Sequence, residues 1–151
     1  MLFLQATNPI SAALNSAEWI FPAAECFHIV GFAIAIGTIA VIDFSLIGGA
    51  LPRKTTSQLL RDVAPWTLIS LVIVITAGLV LFLTDPVHYV ENSAFRFKIT
   101  CLVLAIVFNY TIHRKVARAD GSDVLSKVVG GVSLALWVCV VFGGLFIAFV
   151  A

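Results

Sequence analysis

Charged residues are scarce in this sequence. Asp, Glu, Lys and Arg make up 11% of its 151 residues, whereas they account for about a quarter of an ordinary soluble domain. Hydrophobic residues reach 61% and the mean hydropathy is +1.10. The shortage of charge therefore excludes a conventional soluble domain and indicates a chain that lies in a membrane.

Motifs for several common catalytic chemistries are also missing. No His-Glu-x-x-His, Walker loop or nucleophile elbow is present, which argues against zinc proteases, P-loop nucleotide hydrolases and α/β serine hydrolases. Cys26, Cys101 and Cys139 lie in apolar runs without a Cys-x-x-Cys pair, so we expect them to be small buried hydrophobes. The net charge of +1 is too small to indicate a nucleic-acid partner.

What the sequence does contain is four long apolar stretches, over residues 19–49, 63–83, 95–116 and 124–150. Each is close to or above the roughly 20 residues that span a bilayer core. The short connections favour antiparallel neighbours. We therefore predict one all-α domain over residues 1–151, an integral membrane four-helix bundle with up-down-up-down topology.

Two local features refine this prediction. Asn8-Pro9, followed by Ile10, Ala13 and Leu14, suggests a short helix at the membrane surface before the first span. Pro65 is expected in the first turn of the second span, where its missing N–H costs little.

The distribution of basic residues predicts the orientation of the bundle. Seven of the nine lysines and arginines lie at the first and third connections. The positive-inside rule places these connections in the cytoplasm. Both termini and the second connection are then expected on the outer, periplasmic side.

Ionisable residues within the spans are the main indication of chemistry, because they are costly in lipid and usually face the bundle interior. On the first helix, Glu18, Glu25 and Asp43 fall within about 20° of one another at helical periodicity, with His28 about 60° to one side. The middle of the bundle is predicted to be almost purely apolar. A site is therefore expected in the outer half, and an electrostatic contact at the cytoplasmic end.

Two residues of the outer half are the strongest candidates for a site. His28 is either a haem-iron ligand or a core histidine that hydrogen-bonds Glu25 one turn earlier. Lys98, which shares a face of the third helix with Asn109, either pairs with Glu25 or Asp85 or contacts a cofactor propionate or an anionic substrate.

The remaining polar residues have simpler interpretations. His88 follows Asp85-Pro86 in a connection and is expected in solvent, with a role as second haem ligand as the alternative. His113 is expected at the level of the lipid headgroups. Asp43 is expected to form an interhelical salt bridge with Arg53 or Arg61.

A family resemblance extends over about residues 18–113. The chain resembles a family of small bacterial four-helix membrane proteins classed as a domain of unknown function. The residues that carry the resemblance are Glu25-x-x-His28, Val41-Ile42-Asp43-Phe44-Ser45-Leu46-Ile47-Gly48, Pro65-Trp66, Thr76-Ala77-Gly78-Leu79-Val80-Leu81-Phe82, Tyr89-x-x-Asn92-x-x-Phe95-x-x-Lys98 and Asn109. The resemblance implies a bacterial inner-membrane location.

More distantly, the chain is similar to the CopD-like copper-resistance membrane domain and to HemJ-type protoporphyrinogen oxidase. The HemJ similarity implies haem b near His28 and Lys98. Glu25, His88 and His113 are further candidates for contacts with the cofactor. The rest of the HemJ pattern is missing, so the oxidase activity is not carried over. A single methionine argues against the soft Cu(I) site that the CopD similarity would suggest.

Three functional hypotheses follow. The first is a membrane subunit for electron transfer, with a b-type haem or a quinone, that contacts other membrane subunits or a periplasmic electron-transfer protein. The second is a non-catalytic assembly subunit of a larger membrane complex. The third is a small transporter for a metal or solute, which the dry middle layer disfavours.

Overall fold

A computed structural model describes residues 9–48, 54–121 and 123–149. Its helices are α1 (Pro9–Asn15), α2 (Ile20–Ile47), α3 (Thr56–Thr84), α4 (Pro86–Glu91), α5 (Ser93–Arg118) and α6 (Val124–Phe146). The described ranges contain no strand. The helices α2, α3, α5 and α6 are long and apolar enough to cross a membrane. The prediction of an all-α four-helix membrane bundle is confirmed.

The four long helices form a ring. Helix α2 packs along α3 on one side and along α6 on the other, while α6 also packs along α5. Helices α3 and α5 approach each other at the last turn of α5, residues 114–118, and at the opposite end Phe82 of α3 stacks on Phe95 of α5. The core between the helices is apolar and contains Ala35, Ile39, Leu71, Cys101, Ala105, Trp137 and Val140.

Helix α3 begins seven residues earlier than the predicted start at residue 63. Thr55 and Gln58 form a capping box, in which each side chain accepts a hydrogen bond from the backbone N–H of the other. This pairing satisfies two N–H groups that a helix start leaves open. The expectation for Pro65 is therefore wrong, because Pro65 lies inside α3 and cannot donate to the carbonyl of Arg61.

The short helix predicted near the N-terminus is present as α1, and it is attached to the end of α3. Ser11 donates a hydrogen bond to the carbonyl of Leu83 at 2.7 Å, and the Asn15 amide donates to the carbonyl of Thr84 at 3.1 Å. These two carbonyls belong to the last turn of α3, where helical partners are lacking. Side chains of α1 thus cap the C-terminal end of α3.

A π-helical turn interrupts α5 at Asn109–His113. From Cys101 onward, the buried residues of this helix recur every four positions, at Cys101, Ala105, Asn109, His113 and Ala117. In a regular α-helix, four-residue steps drift by about 40° each, or about 160° over this stretch. The π turn contains one more residue than a regular helical turn. This extra residue offsets much of the angular drift and keeps all five side chains on the core side.

The three cysteines are free thiols in different environments. Cys101 is buried, Cys139 is partly buried and Cys26 is exposed on the surface of α2. The expectation of burial is wrong for Cys26, since an apolar run in a membrane helix also supplies the side that faces lipid.

Gly130 marks the closest approach of α6 to α2. A Cβ atom at this position would lie 2.8 Å from the carbonyl oxygen of Asp43 and 3.0 Å from Cβ of Leu46. Small residues let membrane helices approach in this way. The neighbouring Gly131 has no heavy atom within 4 Å of the equivalent position.

These two glycines provide a matched test of the α2–α6 contact. We expect Gly130→Ala to lower the free energy of unfolding by about 1–3 kcal/mol, as overpacking does. Gly131→Ala should cause no loss and should add up to about 1 kcal/mol through helix propensity. Unfolding of both variants by detergent titration in micelles measures the difference, and equal stabilities would contradict the packing described here.

Candidate functional site

His28 and Lys98, here called the outer pair, face each other across the bundle. The His28 Nδ1 atom donates a hydrogen bond to the carbonyl of Val74 at 3.0 Å. Because a carbonyl only accepts, the hydrogen of the neutral ring is on Nδ1 and the lone pair is on Nε2. This Nε2 atom lies 3.5 Å from Nζ of Lys98.

All four long helices contribute to the outer pair. Phe32 of α2 stacks against the imidazole with a centroid distance of 6.2 Å and lies 5.9 Å from Nζ of Lys98. A Cβ at Gly78 of α3 would be 3.0 Å from Cε1 of His28, and one at Gly143 of α6 would be 3.0 Å from Cα of Lys98. Glycines on α3 and α6 thus leave room for the two polar side chains.

The structure corrects the predicted partners of the outer pair. Glu25 is exposed, and the carbonyl of Val74 occupies the position that Glu25 was expected to take at Nδ1 of His28. Lys98 forms no salt bridge within the described ranges, so its expected pairing with Glu25 or Asp85 is wrong. The geometry explains both errors, since Nζ of Lys98 lies near His28 and Phe32.

The carboxylates of the outer end lie around Tyr89 on α4. Burial raises the pKa of this phenol first, and the nearby charges of Glu25 and Asp85 raise it further. Asp85 itself caps α4 by accepting a hydrogen bond from the backbone N–H of His88 at 3.2 Å. The His88 side chain is exposed, as predicted, and its ring packs edge-on against Tyr89.

A second polar group lies at the opposite end of the bundle. His113 donates from Nε2 to Oδ1 of Asp43 at 2.7 Å, and Ser133 donates to Oδ2 at 3.1 Å. We call these three residues the inner cluster. Asp43 and His113 are 0% and 1% exposed, so α2, α5 and α6 are joined by a hydrogen-bonded group that is closed to the surroundings.

The inner cluster corrects the predicted partner of Asp43. His113, which was expected at the level of the lipid headgroups, is buried in the bundle beside Asp43. Asp43 does not pair with Arg61, which is exposed on α3, and Arg53 falls outside the described residues. Asn109, one turn before His113, is buried.

The outer pair and the inner cluster are far apart. Asp43, to which His113 is bonded, follows His28 by fifteen residues, or about 22 Å along the helix. His28 and His113 therefore cannot ligate one metal ion.

Hydroxyl groups make the middle of the bundle less apolar than predicted. Thr67 of α3 donates to the hydroxyl of Thr38 on α2 at 2.8 Å, and Ser70 donates to the carbonyl of Thr67 at 3.0 Å. Thr67 and Ser70 are buried. Sequence reasoning missed these residues because serine and threonine satisfy their hydrogen bonds on nearby backbone and leave no charge pattern.

The imidazole nitrogen of His28 is a donor type that b-type haem sites use. Haem iron takes nitrogen ligands such as imidazole, and ligating histidines usually donate their other N–H to a carbonyl or carboxylate. His28 meets this requirement through Val74. No group of three or more His, Cys, Asp or Glu residues suited to a metal ion is found in the described ranges.

No protein-family model, curated protein or solved structure matches the chain. The family resemblance drawn from the motifs therefore stays a prediction. The fold and the two polar groups define a multi-pass helical membrane protein with one half-buried polar pair and one fully buried cluster.

The raised pKa of Tyr89 gives a direct test of the outer end. With only two tyrosines in the chain, a Tyr110→Phe background isolates the phenolate absorbance of Tyr89 in a pH titration. Glu25→Gln removes one negative charge and should lower the pKa of Tyr89, because a neighbouring carboxylate disfavours the phenolate. Glu18→Gln is the control and should leave the pKa of Tyr89 unchanged. Equal changes in this pKa for the two variants would contradict the placement of Glu25 near Tyr89.

Proposed function

We propose that the chain is a subunit of a bacterial inner-membrane electron-transfer system that binds a b-type haem through His28. The observation that supports this function best is the tautomer of His28. Its Nδ1–H is held by the carbonyl of Val74, so the Nε2 lone pair is directed into the bundle, where Lys98 provides a second nitrogen donor.

Each residue of the outer pair has a separate task in this proposal. His28 would hold the haem iron, and Lys98 would supply either a second nitrogen or a positive charge for a haem propionate. When bound, haem supplies a one-electron iron couple. Val74 fixes the imidazole, while Phe32 shields the pair on one side. A quinone is the alternative redox group, since both side chains hydrogen-bond carbonyl oxygens.

The proposed orientation puts this pair in the periplasmic half of the membrane. Arg61, Arg114, Lys115, Arg118 and Lys127 lie at the other end of the bundle, which the positive-inside rule assigns to the cytoplasm. Both termini are then periplasmic. A site in the periplasmic half favours two kinds of partner, a periplasmic electron-transfer protein or another membrane subunit.

A non-catalytic assembly subunit is the second candidate, and one observation favours it. Both ring nitrogens of His28 already face protein groups, the carbonyl of Val74 at 3.0 Å and Nζ of Lys98 at 3.5 Å. In this role the pair would hold α2, α3 and α5 together. We do not propose a transporter, because Ala35, Ile39 and Trp137 fill the core between the outer pair and the inner cluster.

The absorption spectrum of the protein, purified from cells supplied with ample haem precursor, tests the haem proposal. We expect a Soret band, and an α band after reduction with dithionite. His28→Leu should abolish both bands because the axial ligand is lost, whereas His88→Leu, at an exposed position, should retain them. Lys98→Met should shift the bands or the midpoint potential.

The other outcomes separate the two candidates. A protein without either band, recovered in a stable complex with another membrane chain, would favour the assembly role. Retention of both bands in His28→Leu would contradict His28 as the ligand.

A further inference from the structure

A surface pocket of about 310 Å³ lies between α3 and the inner end of α5. Its lining consists of Ser57, Leu60, Arg61, Ala64, Arg114 and Arg118. Three arginines thus converge on one pocket near the ends of α3 and α5 that the positive-inside rule assigns to the cytoplasmic side. None of them belongs to the outer pair or to the inner cluster.

Arg114 is held in a fixed position within this arginine pocket. Its guanidinium lies over the ring of Tyr110, with Cζ 4.2 Å from the ring centroid. The Nε atom is buried and has no hydrogen-bond partner in the part of the chain that the structure describes. Stacking orders the planar guanidinium while its edge keeps N–H donors for a ligand, which is the arrangement that suits bidentate binding of an anion.

Of the carboxylates at this end of the bundle, Asp43 and Asp62 are engaged away from the arginine pocket, whereas Asp120 lies beside it. Asp43 is bound by His113 and Ser133, and Asp62 pairs with Lys54 at 2.5 Å. Asp120 accepts hydrogen bonds from the backbone and hydroxyl of Ser57 at 2.7 and 2.6 Å.

Asp120 is the acidic group that offsets part of the charge in the arginine pocket, through its electrostatic interaction with Arg61. Within residues 54–121 and 123–149, none of the three arginines has a carboxylate within salt-bridge distance. The pocket therefore keeps a net positive charge.

The pocket also has an apolar side. Leu60 and Ala64 form part of its wall. Together with Arg114 they also line a small cavity of about 10 Å³, whose lining includes Ile39 and Val63 but also the polar residues Thr67, Asn109 and His113. A cationic group that is only partly compensated, beside apolar side chains, matches a ligand with an anionic head next to an apolar part.

We propose that the arginine pocket binds a phosphate group. Arg114 would bind it through the free edge of its stacked guanidinium, with Arg61 and Arg118 adding charge-assisted hydrogen bonds. The headgroup of an anionic phospholipid and free inorganic phosphate share this chemistry. The inference is independent of the haem proposal, because it involves no residue of the outer pair.

Thermal unfolding of the full-length chain in detergent micelles tests this site. The probes are phosphatidylglycerol, phosphatidylcholine at the same lipid fraction, and inorganic phosphate compared with chloride at equal ionic strength. A ligand that binds only the folded state raises Tm in a saturable way. We expect phosphatidylglycerol to raise Tm and phosphatidylcholine to have a smaller effect.

Variants locate the effect on the pocket. Arg114→Gln, and separately Arg61→Gln and Arg118→Gln, should each weaken the apparent affinity by roughly tenfold, the order expected for one lost charge-assisted hydrogen bond. Lys115→Gln is the matched control, since it removes the same charge from an exposed neighbour on α5 that does not line the pocket. It should retain the affinity.

The outcomes also distinguish the source of the phosphate. Saturable stabilisation by phosphatidylglycerol alone supports a lipid headgroup, and stabilisation by inorganic phosphate supports a soluble anion. The proposal would be overturned if neither phosphatidylglycerol nor inorganic phosphate gave a saturable shift in Tm. It would also be overturned if Lys115→Gln lost as much affinity as the pocket variants, which would indicate diffuse surface electrostatics. Because Arg61 and Arg118 are exposed, their variants stay informative if Arg114→Gln fails to fold.

Discussion

The hydrogen bond between His113 and Asp43 is the interaction on which the bundle depends most. A carboxylate in the membrane interior is costly unless a partner and further hydrogen bonds compensate for its lost hydration. Here the 2.7 Å bond from His113 joins α5 to α2, and Ser133 adds α6. The π turn of α5 keeps His113 on the core side, and Gly130 lets α6 approach the backbone of Asp43. One buried acid therefore fixes the positions of three helices.

The outer pair differs from the inner cluster in burial and in closeness of contact. His28 and Lys98 are only partly buried, and their nitrogens are 3.5 Å apart. Both side chains also contact Phe32, because the His28 ring stacks on it and Nζ of Lys98 lies over its aromatic face. A partly open polar pair between helices is a common setting for a bound group, whereas the inner cluster is closed to a ligand from outside the bundle. The contrast explains why the proposed chemistry is assigned to the outer end.

Sequence reasoning was most successful for properties that follow from composition and spacing. The four spans and the short helix α1 were predicted in this way. The grouping of His28 with Lys98 came instead from the HemJ resemblance, and their direct contact was not predicted. The pairing of Asp43 was not predicted either, because α-helical periodicity takes no account of the π turn that accompanies the burial of His113. The four-residue spacing from Cys101 to Ala117 is the signal that could have shown it. The start of α3 was missed because its capping residues lie in a polar stretch that resembles a connection.

A double-mutant cycle on the free energy of unfolding tests the central claim, that the buried Asp43–His113 bond organises the bundle. Asp43→Ala, His113→Ala and the double variant should give a coupling energy of roughly 2–3 kcal/mol, the upper part of the range for residues in direct contact. The cycle between Asp43 and the exposed Arg61, the partner expected from sequence, should give a coupling within about 0.5 kcal/mol of zero. A negligible coupling between Asp43 and His113, or a large one between Asp43 and Arg61, would contradict this account.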